Sequence, residues 1–517
     1  MVSTRAPARC ARTVLLVSLV AGAGCARHEL RSEGATATTA EIFISAQMRG
    51  YLGPCGCSEA MRGGIDRAAF QIADARRNGK PVLYIDGGDS LFGRASLSEA
   101  EIPQEERKAQ AIADAFKWTK LAAHAVGELD GARGAEFRKS LGLPDLANGS
   151  SRLLEISGHK IGVVAASTQA ELVDAARRAR QQGAAFVIGM LHQPIQQAQQ
   201  VASDPSVEAD LIFANHQADE LAGEDNRLVK TAVPVAQVQS KGRSLARVDL
   251  AFGAATGKFE LQRTQDDVDR ELSALTQRIE LLKKELNTPG LAGEIKKLKQ
   301  GKLDELVARR QGIAAAPLES AEDKNAFAVR FVPLESSLPG QPEIKALVTQ
   351  YDRDVGLINL EWARKHGRDC PPPAAGEAAF VGNDSCRECH PESFPVWEKS
   401  KHAHAYRTLA DLGRQYDLNC IGCHVIGFER PGGVCRVDKV QNRKDVGCES
   451  CHGPGSIHAE DPVKDNILAK PEKSDCVRCH TPENSSHFDF ATFLPQILGP
   501  GHQGPTSRPE VPRRARQ

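Results

Sequence analysis

Four pentapeptides of this chain, Cys386-Arg-Glu-Cys389-His390, Cys420-Ile-Gly-Cys423-His424, Cys448-Glu-Ser-Cys451-His452 and Cys476-Val-Arg-Cys479-His480, share the form Cys-x-x-Cys-His. Two thiols at this spacing add across the two vinyl groups of one haem, and the His beside the second thiol then falls under the iron as proximal ligand. With 14 Cys and 15 His in 517 residues, chance supplies about 0.01 such pentapeptides. Zinc, the competing reading of paired Cys, needs two pairs, or a pair and two His, around each ion and gives no reason for a His directly after every second Cys. The spacing specifies four covalently bound c-type haems. Cys370 and Cys435 are left over, either to pair with each other or to stay free.

Each iron needs a sixth ligand or an open face, and the spare His residues are the distal candidates. His402 and His404 follow Trp397, His458 follows His452 across a Gly-Pro-Gly turn, and His487 and His502 come after the last motif; His366 precedes the segment. Imidazole on both faces makes low-spin haems suited to electron transfer, since no position is open to substrate. Between the motifs the chain is short, polar and rich in Gly and Pro, so the porphyrins themselves must supply most of the apolar core.

A second group of reactive residue types lies toward the other end. Cys55 and Cys57 flank one Gly in Pro54-Cys55-Gly56-Cys57, a spacing that suits a redox dithiol, a soft-metal clamp with His192 or His216, or a structural pair. Asp89, His192 and His216 each follow an apolar run, which makes them a candidate non-haem site for a divalent metal. Cys55 and Cys57 are the candidates for any catalysis.

The elements that must position these residues change character along the chain. Up to about residue 262, apolar runs at 42–45, 82–85, 161–165, 186–190 and 211–214 alternate with helix-like stretches such as 66–77 and 171–182, and 235–239 with 245–250 reads as a closing hairpin. That is a layered α/β domain whose chemistry belongs where strands end in loops. Val268, Leu272, Leu275, Ile279, Leu282 and Leu286 then wind a helical seam, Pro289-Gly290 breaks it, and a second run returns, predicting a helical hairpin. A helix over 343–365 and Pro371-Pro372-Pro373 lead into the last segment. The expected organisation is a signal at 1–25, an α/β domain at 41–262, the hairpin at 263–316, a helical connector at 317–375 and a mostly α and irregular haem domain at 376–503.

Arg5, Arg9 and Arg12 precede the apolar run 14–20, and Ala21-Gly22-Ala23-Gly24 offers small residues for cleavage before Cys25. This reads as an export signal, either of lipoprotein type with Cys25 acylated or of ordinary type releasing a periplasmic protein. The formal net charge of zero points to no nucleic-acid partner. Redox proteins are the expected partners.

The four motifs, the run Trp397 to Ala403 and Cys448-Glu-Ser-Cys451-His452-Gly-Pro-Gly with His458 resemble the cytochrome c-554 family of tetrahaem electron carriers. That resemblance implies closely stacked haem pairs, with His402 and His458 as distal ligands. Residues 41–262 resemble the metallophosphoesterase domain of periplasmic 5′-nucleotidases through Asp86-Gly-Gly-Asp89, Ala125-Val-Gly-Glu128-Leu129-Asp130, Leu191-His192 and Ala214-Asn215-His216. The opening Asp-x-His is absent, Glu128 and Leu129 replace the Asn-His pair, and the last loop lacks its second His. A two-metal hydrolase needs a near-complete cage. The resemblance therefore implies a remodelled domain in an electron-transfer protein. The alternative is a metal-dependent phosphoesterase with a cytochrome attached.

Overall fold

The computed structural model describes residues 38–55, 61–216, 226–253, 257–289, 291–316, 324–481, 484–485, 488–499 and 501–502. Cys25, Cys57 and His487, and the side chain of Cys55, lie outside the described residues. In chain order the first part runs β1 (Thr38–Ser45), α1 (Ile65–Arg77), β2 (Val82–Asp86), α2 (Ile102–Trp118), β3 (Ala123–Ala125), β4 (Asp145–Leu146), β5 (Ser150–Ile156) and β6 (His159–Ala166). It continues through α3 (Gln169–Gln181), β7 (Phe186–Leu191), α4 (Ile195–Ala202), β8 (Leu211–Ala214), β9 (Arg227–Val229), β10 (Val235–Gln237), β11 (Ser244–Phe252) and β12 (Glu260–Leu261). The helices α5 (Gln265–Leu286) and α6 (Gly293–Ala315) follow, then β13 (Ala326–Pro333) and α7 (Pro342–Lys365).

Two large sheets form, ordered β12-β13-β11-β1-β2-β3-β4 and β9-β10-β8-β7-β6-β5, beside a two-stranded antiparallel ribbon of Pro54–Cys55 with Arg62–Gly63. Alternation along the strands assigns their faces. Ile42 and Ile44 of β1 join Ile161, Val163, Phe186 and Ile188 in the core between the sheets. Phe43 instead packs against α1, α2 and α7, and Val164 and Ala166 pack against α3 and α4. The result is a four-layer α/β/β/α arrangement, with β7 buried along its whole length.

Three expectations need correction. The 235–239 and 245–250 runs do not close as a hairpin: β10 pairs in parallel with β8, while β11 crosses to the other sheet and pairs antiparallel with β1. The α/β domain does not end at 262 either. β13 returns to pair with β11 over eight residues, Ala326 to Pro333, which makes the helical hairpin an insertion between β12 and β13. Finally, α7 is more than a connector. Its Ile344, Tyr351 and Val355 are buried against the α/β domain, while Ala363 belongs to the apolar cluster of the haem segment.

The hairpin itself forms as the seam requires. Thr264 and Asp267 close a capping box at the start of α5, and Leu275, Ile279 and Leu282 meet Leu303 and Leu306 of α6. Cross-links from Lys299 to Glu285 and from Arg309 to Glu271 make the two helices antiparallel.

Beyond α7 the chain makes only short helical turns. Its one sizeable apolar cluster among the described residues gathers Ile421, Val425, Val434, Val437 and Val440 around the second haem motif. Cys370 and Cys435 pair as a disulfide across that cluster, closing a long loop and restricting the unfolded chain. Among the described residues no helix is long and apolar enough to cross a membrane.

Candidate functional site

All four Cys-x-x-Cys-His motifs are held in or beside single helical turns, Asp384–Arg387, Leu418–Ile421, Cys448–His452 and Lys473–Cys476. The eight motif cysteines form no disulfide. Cys386 lies in hydrogen-bonding contact with Cys448, and Cys423 with Cys479, so the first motif neighbours the third and the second neighbours the fourth. Glu449, almost fully buried, accepts the backbone N–H groups of Val381, Gly382 and Gly455, and Asn383 accepts that of Cys448. These bonds fix the first and third motifs to each other.

The imidazoles divide into facing sets. His390 faces His458 with ring centroids 6.2 Å apart, and His480 faces His402 at 6.1 Å. Two metal–nitrogen bonds of about 2 Å plus two half-rings account for separations of this size. Burial lowers the pKa of His390, and so do His458, His452 and His502 nearby. Burial and His452 do the same to His502, and burial with His480 to His402. Neutral imidazole is the form that ligates iron.

Tautomers are set by the backbone. Nδ1 of His452 bonds Leu468 O at 2.8 Å, Nδ1 of His458 bonds Val463 O at 2.9 Å, and Nδ1 of His424 bonds Ala405 O. Each leaves Nε2 for a metal. Among the described residues no imidazole ring stacks against His424. His404 makes no such contact with a proximal His either, and lies in the field of Asp445.

The amino-terminal cleft, a cavity of 490 Å³, is lined by Glu128, Arg138, Lys139, Asn148, His192 and His216 among others. It lies where β3, β4, β6, β7 and β8 end. Close backbone approach builds its floor: a Cβ on Gly88, at φ 92°, would meet Ala125 O at 2.0 Å, and one on Gly127 would meet Asp89 Oδ1 at 2.2 Å. Beneath it sits a buried trio that the sequence motifs did not single out as a unit. His124 Nδ1 lies 3.0 Å from Asp86 Oδ1, and its Nε2 lies 3.5 Å from Asp130 Oδ2.

Asp130 also accepts the N–H groups of Asp89, Ser90, Leu91 and Gly127 at 2.7–2.9 Å. Burial pushes the Asp130 carboxyl up, with Asp89 and Asp86 adding to the rise and the His124 imidazolium and the backbone donors opposing it. Burial works against charge on His124 as well, yet Asp130 and Asp86 raise it to about 9. A polar His between two small apolar residues of a central strand was the available sign.

The expected non-haem ligands do not assemble into a cage. His216 Nδ1 is 3.7 Å from Asp89 Oδ2, but His192 spends Nε2 on Gly87 O at 2.9 Å and Nδ1 on Asn148 Oδ1 at 3.0 Å. Hydrogen bonding to Asp89 raises the pKa of His216, and Arg49 lies close enough to oppose it. Both imidazoles thus serve the loops.

The family described as cytochrome c554 and c-prime matches residues 385–453. Cytochrome c-554 of Nitrosomonas europaea is 35% identical over 96 residues, which is 16% of this chain and 41% of that protein. The haem segment is similar to cytochrome c-554. The chain spans about two fifths of that relative's length.

Among solved structures, a 5′-nucleotidase precursor from Thermus thermophilus shares 10% identity at a TM-score of 0.42, covering 71% of this chain and 68% of its own. A calcineurin-like phosphoesterase from Bacillus subtilis shares 16% at a TM-score of 0.34, covering 43% of this chain and 87% of its own. Likenesses at these scores decide nothing about chemistry here.

The residues present fit one cofactor class and not the other. The cytochrome c-554-like segment carries paired thiols, His beside each pair, and further imidazoles at iron-spanning distance, so covalent c-type haem fits. A two-metal phosphoesterase centre does not. Just past β1, where the first metal would need Asp-x-His, stand Gln47 and Arg49, and the nearby Asn215 adds only a neutral amide. Among the described residues no group of three or more His, Cys, Asp or Glu is placed to hold a metal ion.

Proposed function

We propose that this protein is an exported tetrahaem c-type cytochrome that passes electrons between redox partner proteins, anchored through Cys25 or free in the periplasm. The observation that carries the reading is the pair of facing imidazoles, His390 with His458 and His480 with His402, each set across a space that one iron fills. His390, His424, His452 and His480 are the proximal ligands, and His502 stands near enough to His452 to serve the third iron. The adjoining thiols of the first and third motifs, and of the second and fourth, support stacked haem pairs. Bound haem supplies the one-electron couple. Backbone carbonyls orient His424, His452 and His458, and burial disfavours the charged form of His390, His402, His424 and His480.

Haem content tests this directly. The mature protein is expected to hold four haems per chain by pyridine haemochrome assay and to keep them through a denaturing gel. Replacing Cys476 and Cys479 together by Ala should reduce the count to three. Haem that leaves the unfolded chain would refute covalent attachment.

In the same reading the amino-terminal domain is a remodelled, non-hydrolytic relative of the nucleotidases, with Cys55 and Cys57 as its reactive thiol pair. The missing Asp-x-His and Asn-His ligands support this over a working hydrolase. Nucleotides and simple phosphoesters offered with Mg²⁺, Mn²⁺ or Zn²⁺ should show no turnover above a metal-only control. Turnover abolished by Asp89→Ala would reverse the assignment.

A further inference from the structure

We propose that a buried polar junction joins the α/β domain to the second haem motif and sets the potential of the haem on Cys420, Cys423 and His424 separately from the other three. The inference rests on the haem-binding reading above and goes beyond it by assigning one haem to the control of the neighbouring domain.

The junction is built from three parts of the chain. Gln104, on the first turn of α2, donates from Nε2 to Asp417 Oδ1 at 2.8 Å, and its Oε1 accepts from Leu418 N at 3.0 Å and from Asn359 of α7. Asn359 also donates to Tyr416 O at 2.7 Å. Asn419 Nδ2 reaches back to Glu105 Oε1 at 3.0 Å. Gln104, Glu105, Asn359 and Asp417 are all 5% exposed or less. Most polar groups buried at this level have their partners in place, and here only Asn359 Oδ1 is left without one, so the satisfied bonds hold the two domains in one register.

That register bears on one haem turn in particular. Asp417 caps the turn Leu418–Ile421 by accepting Asn419 N at 2.9 Å, and this turn carries Cys420. Arg414 lies 3.4 Å from Asp352 of α7 and 3.5 Å from Asp417. Asp417 and Asp352 both favour the charged guanidinium against its partial burial. Opposite charges, a half-buried Arg414 and a buried Asp417, thus flank this thioether position, and fields act more strongly the less water screens them. None of these contacts reaches the first, third or fourth motif.

A continuous path leads from the junction to the cleft. Glu105 pairs with Lys108, whose stem lies over Gly50, where a Cβ would meet its Cδ at 3.2 Å. Gly50 N donates to Ser90 O at 3.0 Å, and Ser90 and Leu91 donate to Asp130 beneath the cleft. Strand ends, α2 and haem turn are therefore joined by an unbroken chain of contacts.

Charge substitutions of opposite sign give the test. Reduction adds an electron, so a nearby cation favours the reduced haem and a nearby anion opposes it. In the full haem-loaded chain, followed by spectroelectrochemical titration, Arg414→Gln should lower one midpoint by the equivalent of about tenfold in its reduction equilibrium, about 59 mV for one electron. Asp417→Asn, which keeps a capping side chain, should raise the same midpoint. A Cys420→Ala, Cys423→Ala chain should lack that midpoint and identify it. Gln104→Leu should speed hydrogen exchange at the Leu418–Ile421 turn while the haem count stays at four.

Shifts of the same sign from both charge variants, shifts shared by all four haems, no shift, or a Gln104→Leu turn exchanging as in the native chain would overturn the junction. A native chain short of four haems, or a Cys420→Ala, Cys423→Ala chain that still holds four, would instead overturn the haem reading on which it stands.

Discussion

Asp130→Ala is expected to destabilise the amino-terminal domain by about 3–5 kcal/mol, the range for breaking a buried ion pair from one side. The substitution leaves four backbone N–H groups, of Asp89, Ser90, Leu91 and Gly127, with no acceptor in a closed floor. It also removes one of the two carboxylates that hold His124 charged. Chemical denaturation followed by far-UV circular dichroism reads the loss, with the Soret band as a separate report on the haem segment.

The same trio makes stability depend on pH in a defined direction. His124 is raised from 6.5 to about 9 in the folded chain, so the folded state binds the proton more tightly than the unfolded one. Its contribution is complete below about pH 6.5 and fades as pH rises through about 9. Native stability should fall across that window, and His124→Gln should flatten the fall. A slope unchanged in the variant would mean that other groups carry it.

The second large effect is spectroscopic. His458→Ala and His402→Ala should each convert one haem from low to high spin, since each removes the imidazole that faces a proximal His. Electron paramagnetic resonance of the oxidised protein is expected to gain one high-spin signal per variant. The double variant should gain two, because the faced residues, His390 and His480, belong to different motifs. A His404→Ala chain serves as the control, since His404 makes no ring contact with a proximal His. High-spin conversion in that control, or none in His458→Ala, would reassign the distal ligands.

The haem chemistry was legible in the linear sequence because it is local. Two thiols and a His within five residues reach one porphyrin whatever the rest of the chain does, and helical seams and buried strands announce themselves through period. The seam from Val268 to Leu286 and the runs that became β2, β7 and β8 were read on that basis.

Readings that required knowing what a segment packs against went astray. The run that became β13 lies beyond a helical hairpin, and nothing local shows that it pairs with β11 and extends the first sheet. Val235–Gln237 and Ser244–Phe252 look like neighbours in a hairpin, yet the turn between them changes sheets. Strand order places Asp89, His192 and His216 at one edge, and there His216 does lie 3.7 Å from Asp89 and lines one cleft with His192; what local sequence does not show is their bonding partners, which come from loops far apart in sequence. Gly87 O and Asn148 occupy the nitrogens of His192 that a metal would need.

By itself the sequence determined the class of cofactor, covalent c-type haem, through a Cys-x-x-Cys-His pattern that recurs four times, because bonded geometry over five residues is independent of fold. Tertiary structure decided which imidazole faces which, that His124 is held between two buried carboxylates, and that Gln104 and Asn359 bind the second haem turn. Those pairings join residues tens to hundreds of positions apart, and only packing, which excludes water and leaves buried polar groups no partners but those the fold brings to them, selects among them.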